Sequence, residues 1–309
     1  MKLKILITGG TGLVGKALTS LLESQAYDVA YLSRTPLKSN RRSFYWNHEK
    51  GDIDSQAIEY ADVIIHLAGE NISNRKWTYN QKKRIISSRV QTTKLLERAI
   101  QSAFKKPRAF ISASAIGYYG NVTSDHIFSE EDPSGTDFLA ETVVKWEESV
   151  KQIHALGIPT AILRIGMVMS KQGGALPKMI QPIKWGLGAF IGSGNQWVPW
   201  IALEDLARMF LFVLEQKLLA TPSKEYIIYN GVSEDNINNK ELMRQIAKAI
   251  KRPFFSLHVP NFLFNLMFGE MATILLYGSR VSSKKINSEG FRFRYTKIPD
   301  LFENNMINR

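Results

Sequence analysis

Short apolar runs alternate with segments of helical periodicity through the first half of the chain. The runs have the length of strands and are Leu3–Ile7, Val29–Leu32, Val63–Leu67, Ala109–Ser112 and Thr160–Ile165. After the first run, apolar residues recur on one helical face at Val14, Leu18, Leu21 and Leu22. This alternation predicts a parallel sheet that is covered by helices.

A long helix is predicted over Gln81–Ala103, because Thr78 and Gln81 form a capping box at its start. After Ile165 the pattern predicts a loop-rich stretch from Gly173 to Gly194. Four further elements are predicted: a helix from about Glu204 to Gln216, a strand Tyr226–Asn230, a helix capped by Asn238 and a strand Phe291–Tyr295. An apolar helix bounded by proline lies between the last two of these elements.

The composition excludes several classes of protein. Apolar residues make up 44% of the 309 residues, enough for a globular core. Without cysteine there is no disulfide framework, thiol nucleophile or Cys-ligated metal, and the five histidines are scattered, so no metal site is predicted. Phe262–Tyr277, the best candidate for a membrane span, has 16 residues where about 20 are needed. With no signal peptide recognised, a cytoplasmic location is expected.

The formal net charge of +12 is the one compositional oddity. The densest group of basic residues is Arg34, Lys38, Arg41 and Arg42. No run of five like charges and no nucleic-acid motif accompanies this charge, so neither nucleic acid nor a membrane is expected as a partner. A small-molecule substrate is expected instead.

A glycine-rich turn follows the first predicted strand directly. Gly9, Gly12 and Gly15 stand at the spacing that allows a tight turn and a close approach of the backbone to a pyrophosphate. The turn leads into the first amphipathic helix, whose N-terminal N–H groups bind anions. The spacing and its flanks predict dinucleotide binding.

The second strand ends on Ser33 and Arg34, where a site for NAD usually carries an acidic residue that binds the ribose hydroxyls. A guanidinium beside a hydroxyl suits a 2′-phosphate, which it binds by charge-assisted hydrogen bonds. The sequence therefore predicts NADP(H) rather than NAD(H).

Beside the glycine loop, the chain has a series of ordered motifs: Leu67–Ile72, Arg75–Thr78, Ser88-Arg89, Ser112–Gly120, Lys145–Glu147, Leu163–Gly166, Gly173–Met179, Gly192–Gln196, Gly269–Ala272 and Gly290–Phe293. These motifs resemble the extended short-chain dehydrogenase/reductase superfamily and, within it, an atypical NADP-binding, epimerase-like family that ends in a domain of unknown function. Together they span nearly the whole chain.

The resemblance implies an α/β fold, a Rossmann doubly wound parallel sheet with a smaller α+β C-terminal substrate domain. The NADP-binding domain is expected over 1–170 plus about 200–230, and the substrate domain over about 171–199 plus 231–309. Cofactor contacts are implied at Gly9, Thr11, Gly12, Leu13, Val14, Gly15, Ser33, Arg34, Leu67, Ala68, Gly69, Arg89 and Val168. The oligomeric state stays open, with a homodimer through the Gln81–Ala103 helix as one arrangement.

The catalytic residues are less clearly marked. Ser114 follows a strand and is expected to hold a substrate carbonyl. The superfamily's Tyr–Lys pair is missing, because the residue four before Lys145 is Glu141. Tyr118, Tyr119 and Glu141 are the alternative acid/base candidates, with Tyr118 the one carried forward.

Two hypotheses of function follow from these motifs. One is an oxidoreductase or epimerase that resembles the sugar-nucleotide epimerases and acts on a small molecule, with a nucleotide sugar as one candidate. The other is a non-catalytic NADP(H)-binding sensor or regulatory protein.

Two later segments also bear on the site. Gly173–Lys178 and Gly186–Gln196 are expected to be loops that close on substrate, or else plain surface loops. Ala202 stands where members of the family commonly carry histidine, and Asp205 is expected to cap or anchor the helix that follows.

Overall fold

The computed structural model of the protein describes residues 2–35, 41–220, 226–255 and 257–303. Its strands are β1 Lys4–Thr8, β2 Asp28–Ser33, β3 Ser43–Asn47, β4 Asp52–Ile53, β5 Val63–His66, β6 Ala109–Ala115, β7 Ile127–Phe128, β8 Thr160–Ile165, β9 Met167–Ser170, β10 Gly173–Gly174, β11 Ala189–Ile191, β12 Trp200–Ala202, β13 Tyr226–Gly231, β14 Leu257–Val259 and β15 Arg280–Val281. Its α-helices are α1 Leu13–Ser24, α2 Ser55–Tyr60, α3 Tyr79–Ser102, α4 Phe138–Ala155, α5 Ala175–Lys184, α6 Leu203–Phe212, α7 Asn239–Ala249, α8 Asn261–Phe268, α9 Thr273–Leu276 and α10 Lys284–Ser288. A π-helix, Val213–Leu219, continues α6, and 3₁₀ turns cover Ile116–Tyr119, Gly269–Ala272 and Ile298–Phe302.

The main sheet has eight strands in the order β13-β8-β6-β5-β1-β2-β3-β4. The pairs from β13 to β3 are parallel, and only β4 runs antiparallel to its neighbour. The strand order reverses between β1 and β5, the switch point at which open α/β sheets bind ligands beyond the carboxyl ends of their strands. The predicted Rossmann fold is confirmed.

Two helical layers cover this sheet. Helix α1 packs on α6, and α3 packs on α4. The reversal of strand order places these two pairs on opposite faces. The central strands are therefore buried on both sides, which is why β1 and β5 read as continuous apolar runs rather than as alternating ones.

A second, smaller apolar cluster lies outside the sheet and gathers residues from β9 to β12 and from the last 75 residues of the described chain. Its buried members include Met169, Leu176, Ile183, Val198, Trp200, Ile237, Leu242, Ile246, Ile298 and Leu301. This cluster is compatible with a separate substrate domain. The proposed domain bounds stay a prediction.

The sequence-based elements hold best in the first half. Helix α3 begins as predicted, since the Thr78 side chain accepts a hydrogen bond from the Gln81 N–H. Strand β3 was not predicted. The predicted loop from Gly173 to Gly194 is wrong in part, because it contains α5. Lys178, which ends the expected loop Gly173–Lys178, therefore lies on a helix, where it is exposed.

The predicted strand Phe291–Tyr295 is also wrong. The backbone N–H groups of Arg294 and Tyr295 donate to the buried carboxylate of Asp205, at 2.9–3.0 Å, instead of to a neighbouring strand. Asp205 therefore anchors the C-terminal segment on α6. It does not cap that helix, which begins after Ala202 without a side-chain cap.

Candidate functional site

The glycine loop joins β1 to α1 at the switch point of the sheet. Gly9 has a φ of +70°, and a Cβ there would lie 2.9 Å from the carbonyl carbon of Leu67. A Cβ on Gly15 would lie 2.5 Å from the Gly9 carbonyl oxygen, so the helix can approach the turn only with glycine there. Gly12 precedes α1 and provides no side-chain cap. The first N–H groups of α1 are thus open to an anion, as the spacing predicted.

Gly10 is a residue of this loop that the spacing rule did not identify. A Cβ on Gly10 would lie 2.5 Å from ring atoms of Tyr31. That ring is held in β2 by a 2.8 Å hydrogen bond between its hydroxyl and Thr19 of α1. The second glycine of the pair Gly9-Gly10 was the signal in the sequence, because glycine often stands where another part of the chain lies close to the backbone.

A buried hydrogen-bond network ties the glycine loop to the end of β5. The Thr8 hydroxyl oxygen accepts from the backbone N–H groups of Leu67 and Ala68, both at 3.1 Å. With both lone pairs of its oxygen occupied, the Thr8 hydroxyl donates a hydrogen bond to Nδ1 of His66, 2.7 Å away. The Nε2 atom of His66 then donates to the Thr93 hydroxyl at 3.2 Å. This network positions Leu67 and Ala68, two predicted cofactor contacts, against the loop.

His66 is a structural histidine in this network. Burial lowers the pKa of its imidazole to about 3, and the nearby charge of Arg89 acts in the same direction. The ring therefore stays neutral at physiological pH. The two ring nitrogens can serve as one acceptor and one donor only in that neutral form.

We expect acid to destabilise the protein through His66. The unfolded chain takes up a proton near pH 6.5, whereas the native ring, with its pKa lowered, does not, so stability is lost as the pH falls below that value. The expected loss is about 1.4 kcal/mol per pH unit, or roughly 2 kcal/mol between pH 6.5 and 5. Urea unfolding at pH 7.5 and 5.0 measures it. His66→Asn should flatten this dependence and the exposed control His258→Asn should not; equal slopes in all three proteins would contradict the assignment.

Arg89 lies beside the Leu67–Gly69 segment, as the resemblance implied. Its guanidinium donates to the carbonyl oxygens of Ile85 at 3.0 Å and Glu70 at 3.1 Å, and a Cβ on Gly69 would lie 3.3 Å from its Cζ. Burial lowers the pKa of Arg89 to about 10. In the part of the chain that the structure describes, no carboxylate forms an ion pair with it, so its charge is available to an anion at the edge of the sheet.

Arg34 is exposed at the end of β2. Neighbouring Arg41 is paired with Glu23, and Arg42 lies 5.2 Å from the Tyr60 ring centroid. Arg34 has no ion-pair partner within the described ranges. Burial lowers the pKa of His48, and the charge of nearby Arg34 acts in the same direction. The Ser33 hydroxyl donates to the Thr35 carbonyl at 2.8 Å, and Lys38 lies outside the described residues.

Val168 lies near the residue that begins α1, Leu13. A Cβ on Gly174 would lie 3.3 Å from both the Val168 carbonyl oxygen and Cδ2 of Leu13. Val168 and Leu13, which are 155 positions apart, thus border one region. Of the remaining loop residues, Thr11 is exposed and Val14 packs against the main core.

A buried polar network lies at the end of β6. The Ser114 hydroxyl donates to Oε1 of Glu147 at 2.7 Å, and Arg164 binds both oxygens of that carboxylate, at 2.9 and 2.8 Å. Burial opposes the charge of Arg164, but hydrogen bonds and charge from Glu147 raise the pKa of the guanidinium above its usual value. Arg164 is 2% exposed and Glu147 is 7% exposed, so this is a buried ion pair.

Tyr119 belongs to the same network. Its hydroxyl accepts from Arg164 at 3.1 Å and donates to Asn230 at 2.7 Å. Burial raises its pKa to about 12. Both hydrogen-bonding functions of this hydroxyl are occupied, and the phenol does not ionise near neutral pH, so Tyr119 is a structural residue.

Tyr118 differs from its neighbour. Its ring lies flat against Arg164, with 3.4 Å between the guanidinium carbon and the ring centroid. The side chain is half-buried. Among the described residues its hydroxyl has no hydrogen-bond partner. Of the two tyrosines, only Tyr118 has a hydroxyl that is free for chemistry.

Helix α4 presents apolar residues to the Ile116–Tyr119 turn. A Cβ on Gly117 would lie 3.4 Å from Cβ of Leu139 and 3.9 Å from Cγ2 of Val143. Glu141 and Lys145 are more than half exposed, and their charged atoms are 3.9 Å apart. The α4 residues that contact Gly117 are thus apolar, and the exposed position of Glu141 does not support it as a replacement for the missing tyrosine.

Within the described ranges, no group of three or more histidine and carboxylate side chains could hold a metal ion. Over the same residues, every helix is too short or too polar to span a bilayer.

Residues 5–228 match the model of the NAD dependent epimerase/dehydratase family, and residues 259–304 match a domain of unknown function, DUF1731. The chain belongs to the NAD dependent epimerase/dehydratase family. The resemblance drawn from the motifs is thereby confirmed.

Relatives match over almost the full length. Epimerase family protein YfhF of Bacillus subtilis is 35% identical over 299 residues, covering 96% of this chain and 95% of its own. The bovine epimerase family protein SDR39U1 is 33% identical, covering 96% and 97%.

Two solved structures are similar to the chain at 29% identity. Human SDR39U1 (isoform 2), crystallised with NADPH, has a TM-score of 0.83 and covers 97% of this chain and 98% of its own. The nucleoside-diphosphate sugar epimerase of Corynebacterium glutamicum has a TM-score of 0.77, covering 97% of this chain and 57% of its own.

Proposed function

We propose that this family member is an NADP(H)-binding oxidoreductase or epimerase that acts on a small molecule. The observation that carries the proposal is the open N-terminus of α1 behind the glycine loop, with the cation of Arg34, which has no ion-pair partner among the described residues, at the end of the neighbouring strand β2. The NADPH in the human relative's structure supports the choice of cofactor.

The residues present fit a phosphorylated dinucleotide. The main chain of Gly9, Thr11 and Gly12 would hold the pyrophosphate at the start of α1, flanked by Leu13, Val14 and Gly15. The Arg34 guanidinium would hold the 2′-phosphate, and the Ser33 hydroxyl would turn from the Thr35 carbonyl to donate to it. The remaining contacts would come from Leu67, Ala68, Gly69, Arg89 and Val168.

When bound, the nicotinamide supplies a hydride acceptor or donor. In this proposal Tyr118 exchanges a proton with the substrate, because the residue is half-buried and its hydroxyl has no hydrogen-bond partner in the described part of the chain. The Ser114 hydroxyl donates its hydrogen bond to Glu147, so toward a substrate hydroxyl it can act only as an acceptor. This is a change from the expected role, in which the serine donates to a carbonyl.

A nucleotide sugar is the substrate class to test first. The name of the C. glutamicum relative, a nucleoside-diphosphate sugar epimerase, supports this choice. Lys178 and Lys184 are exposed on α5 and would contact the phosphates of such a substrate.

One observation favours a second candidate, a non-catalytic NADP(H)-binding sensor. Glu141 stands on α4 four positions before Lys145, where the superfamily has its tyrosine, and it is more than half exposed. A panel of nucleotide sugars and carbonyl compounds, followed by nicotinamide absorbance and by product analysis, separates the two candidates. Turnover of any member supports the enzyme; tight NADPH binding without turnover supports the sensor.

Arg34→Ala should weaken NADPH binding by about tenfold to a hundredfold, because it removes charge-assisted hydrogen bonds worth about 1.5–3 kcal/mol. NADH binding should hardly change, since NADH lacks the 2′-phosphate. Titration of nicotinamide fluorescence measures both dissociation constants. Arg42→Ala, which removes the same charge from beside the same strand, should keep the preference. Tighter binding of NADH than of NADPH by the unmodified protein, or unchanged binding in Arg34→Ala, would refute the assignment.

A further inference from the structure

Helix α8 has six apolar residues among its eight but lies at the surface. Its sequence is NFLFNLMF, and none of its residues is fully buried. Phe262 is 65% exposed, Leu266 75% and Met267 59%. Asn261 and Asn265 are its two polar residues. Large apolar side chains that adjoin one another on a helix are normally covered. The exposed apolar residues of α8 are therefore expected to have a partner outside the fold.

The fold itself covers only one stripe of α8. Phe264 and Phe268, four positions apart, are half-buried and stack with ring centroids 6.1 Å apart. Phe268 also packs against the small cluster around Trp77 and Met271. The other large side chains project away from this contact. The result is a short, protruding apolar ridge rather than a groove.

Basic residues border this ridge. The Lys76 ammonium donates to the Leu266 carbonyl at 3.4 Å, and Arg75 beside it is exposed. Lys82 binds Glu270, the one acidic residue in 261–277. Beside this pair, Lys76 and Arg75 are exposed cations without an ion-pair partner among the described residues. The surroundings of the ridge are positive, in a chain whose net charge of +12 the cofactor site only partly explains.

We propose that α8 and its basic border dock peripherally on an anionic lipid bilayer. Eight helical residues span about 12 Å, far short of the roughly 30 Å of a bilayer core, so the helix would lie in the interface with its apolar ridge inserted. The cations would attract anionic headgroups. The sequence-based expectation of no membrane partner rested on the length needed for spanning and on the absence of a run of like charges. Peripheral docking needs no spanning length, and its cations can come from residues that only the fold brings together.

A second copy of the chain fits this surface less well. In a two-fold symmetric contact the patch would meet itself, and the basic border of one copy would face the basic border of the other. Such like-charge contacts oppose association. An anionic bilayer offers both the apolar layer and the opposite charge.

Co-sedimentation of the full chain with vesicles tests the proposal. Vesicles of phosphatidylcholine with about 30% anionic phosphatidylglycerol should bind the protein, and vesicles of pure phosphatidylcholine should bind it much less. Leu266→Glu should lower the partition coefficient by about tenfold or more, because it places a charge in the inserted ridge. Arg75→Gln should lower it about fivefold, the equivalent of about 1 kcal/mol per cation.

Phe104→Glu is the matched control, since Phe104 is 100% exposed and belongs to a different surface, next to Glu59. It should bind vesicles like the unmodified protein. NADPH titration and thermal unfolding of each variant show that the fold and the cofactor site are retained. Equal sedimentation of Leu266→Glu and Phe104→Glu would overturn the proposal, as would a dimer that dissociates on Leu266→Glu while no vesicle binding is seen.

Discussion

Glu147→Ala should lower the free energy of unfolding by about 3–5 kcal/mol, the cost of leaving a buried charge without its partner. Arg164 would lose both hydrogen bonds to the carboxylate, and Ser114 would lose its acceptor. The guanidinium is 2% exposed, so water cannot replace these contacts. The loss is large against the 5–15 kcal/mol that stabilises a typical domain.

Urea unfolding at pH 7 measures this loss, and Glu141→Ala on the same helix is the control. Glu141 forms an exposed pair with Lys145, so its removal should cost less than about 1 kcal/mol. The double replacement Glu147→Leu with Arg164→Met should recover much of the stability, because it removes both charges together. Equal losses from Glu147→Ala and Glu141→Ala would show that the buried pair does not carry the stability assigned to it.

Gly15→Ala should abolish NADPH binding. The added Cβ would lie 2.5 Å from the Gly9 carbonyl oxygen and 2.6 Å from the Gly10 Cα, and both are backbone atoms that cannot rotate away. The turn must therefore shift away from α1, which moves the pyrophosphate-binding N–H groups out of place. Overpacking of this kind also costs about 1–3 kcal/mol of stability.

Fluorescence titration with NADPH, together with urea unfolding, follows both effects. Gly231→Ala in β13 is the matched control, because a Cβ there would meet no atom closer than 3.5 Å. It should retain both the affinity and most of the stability. Full NADPH binding by Gly15→Ala would show that the dinucleotide does not use this turn.

Sequence reasoning succeeded where the signal lay within one short segment. The strand, glycine turn and helix from Lys4 to Ser24 are adjacent in the chain, so their spacing alone specified the local geometry. The cap of α3 is another signal of this kind. Sequence reasoning failed for Phe291–Tyr295, because the backbone N–H groups of this segment donate to Asp205, 89–90 positions away. A propensity for strand formation contains no information about such a distant acceptor.

The sequence by itself determined the fold class, the family and the loop that we assign to the dinucleotide, because local periodicity and motif spacing are properties of neighbouring residues. Only the tertiary structure decided which hydroxyls remain free. Ser114, Glu147 and Arg164 stand 17 to 50 positions apart, and only the packing of α4 on β6 and β8 joins them into one network. The same holds for α8. Its apolar residues are typical of a buried or an interface helix, and only the packing shows that most of its surface is left uncovered.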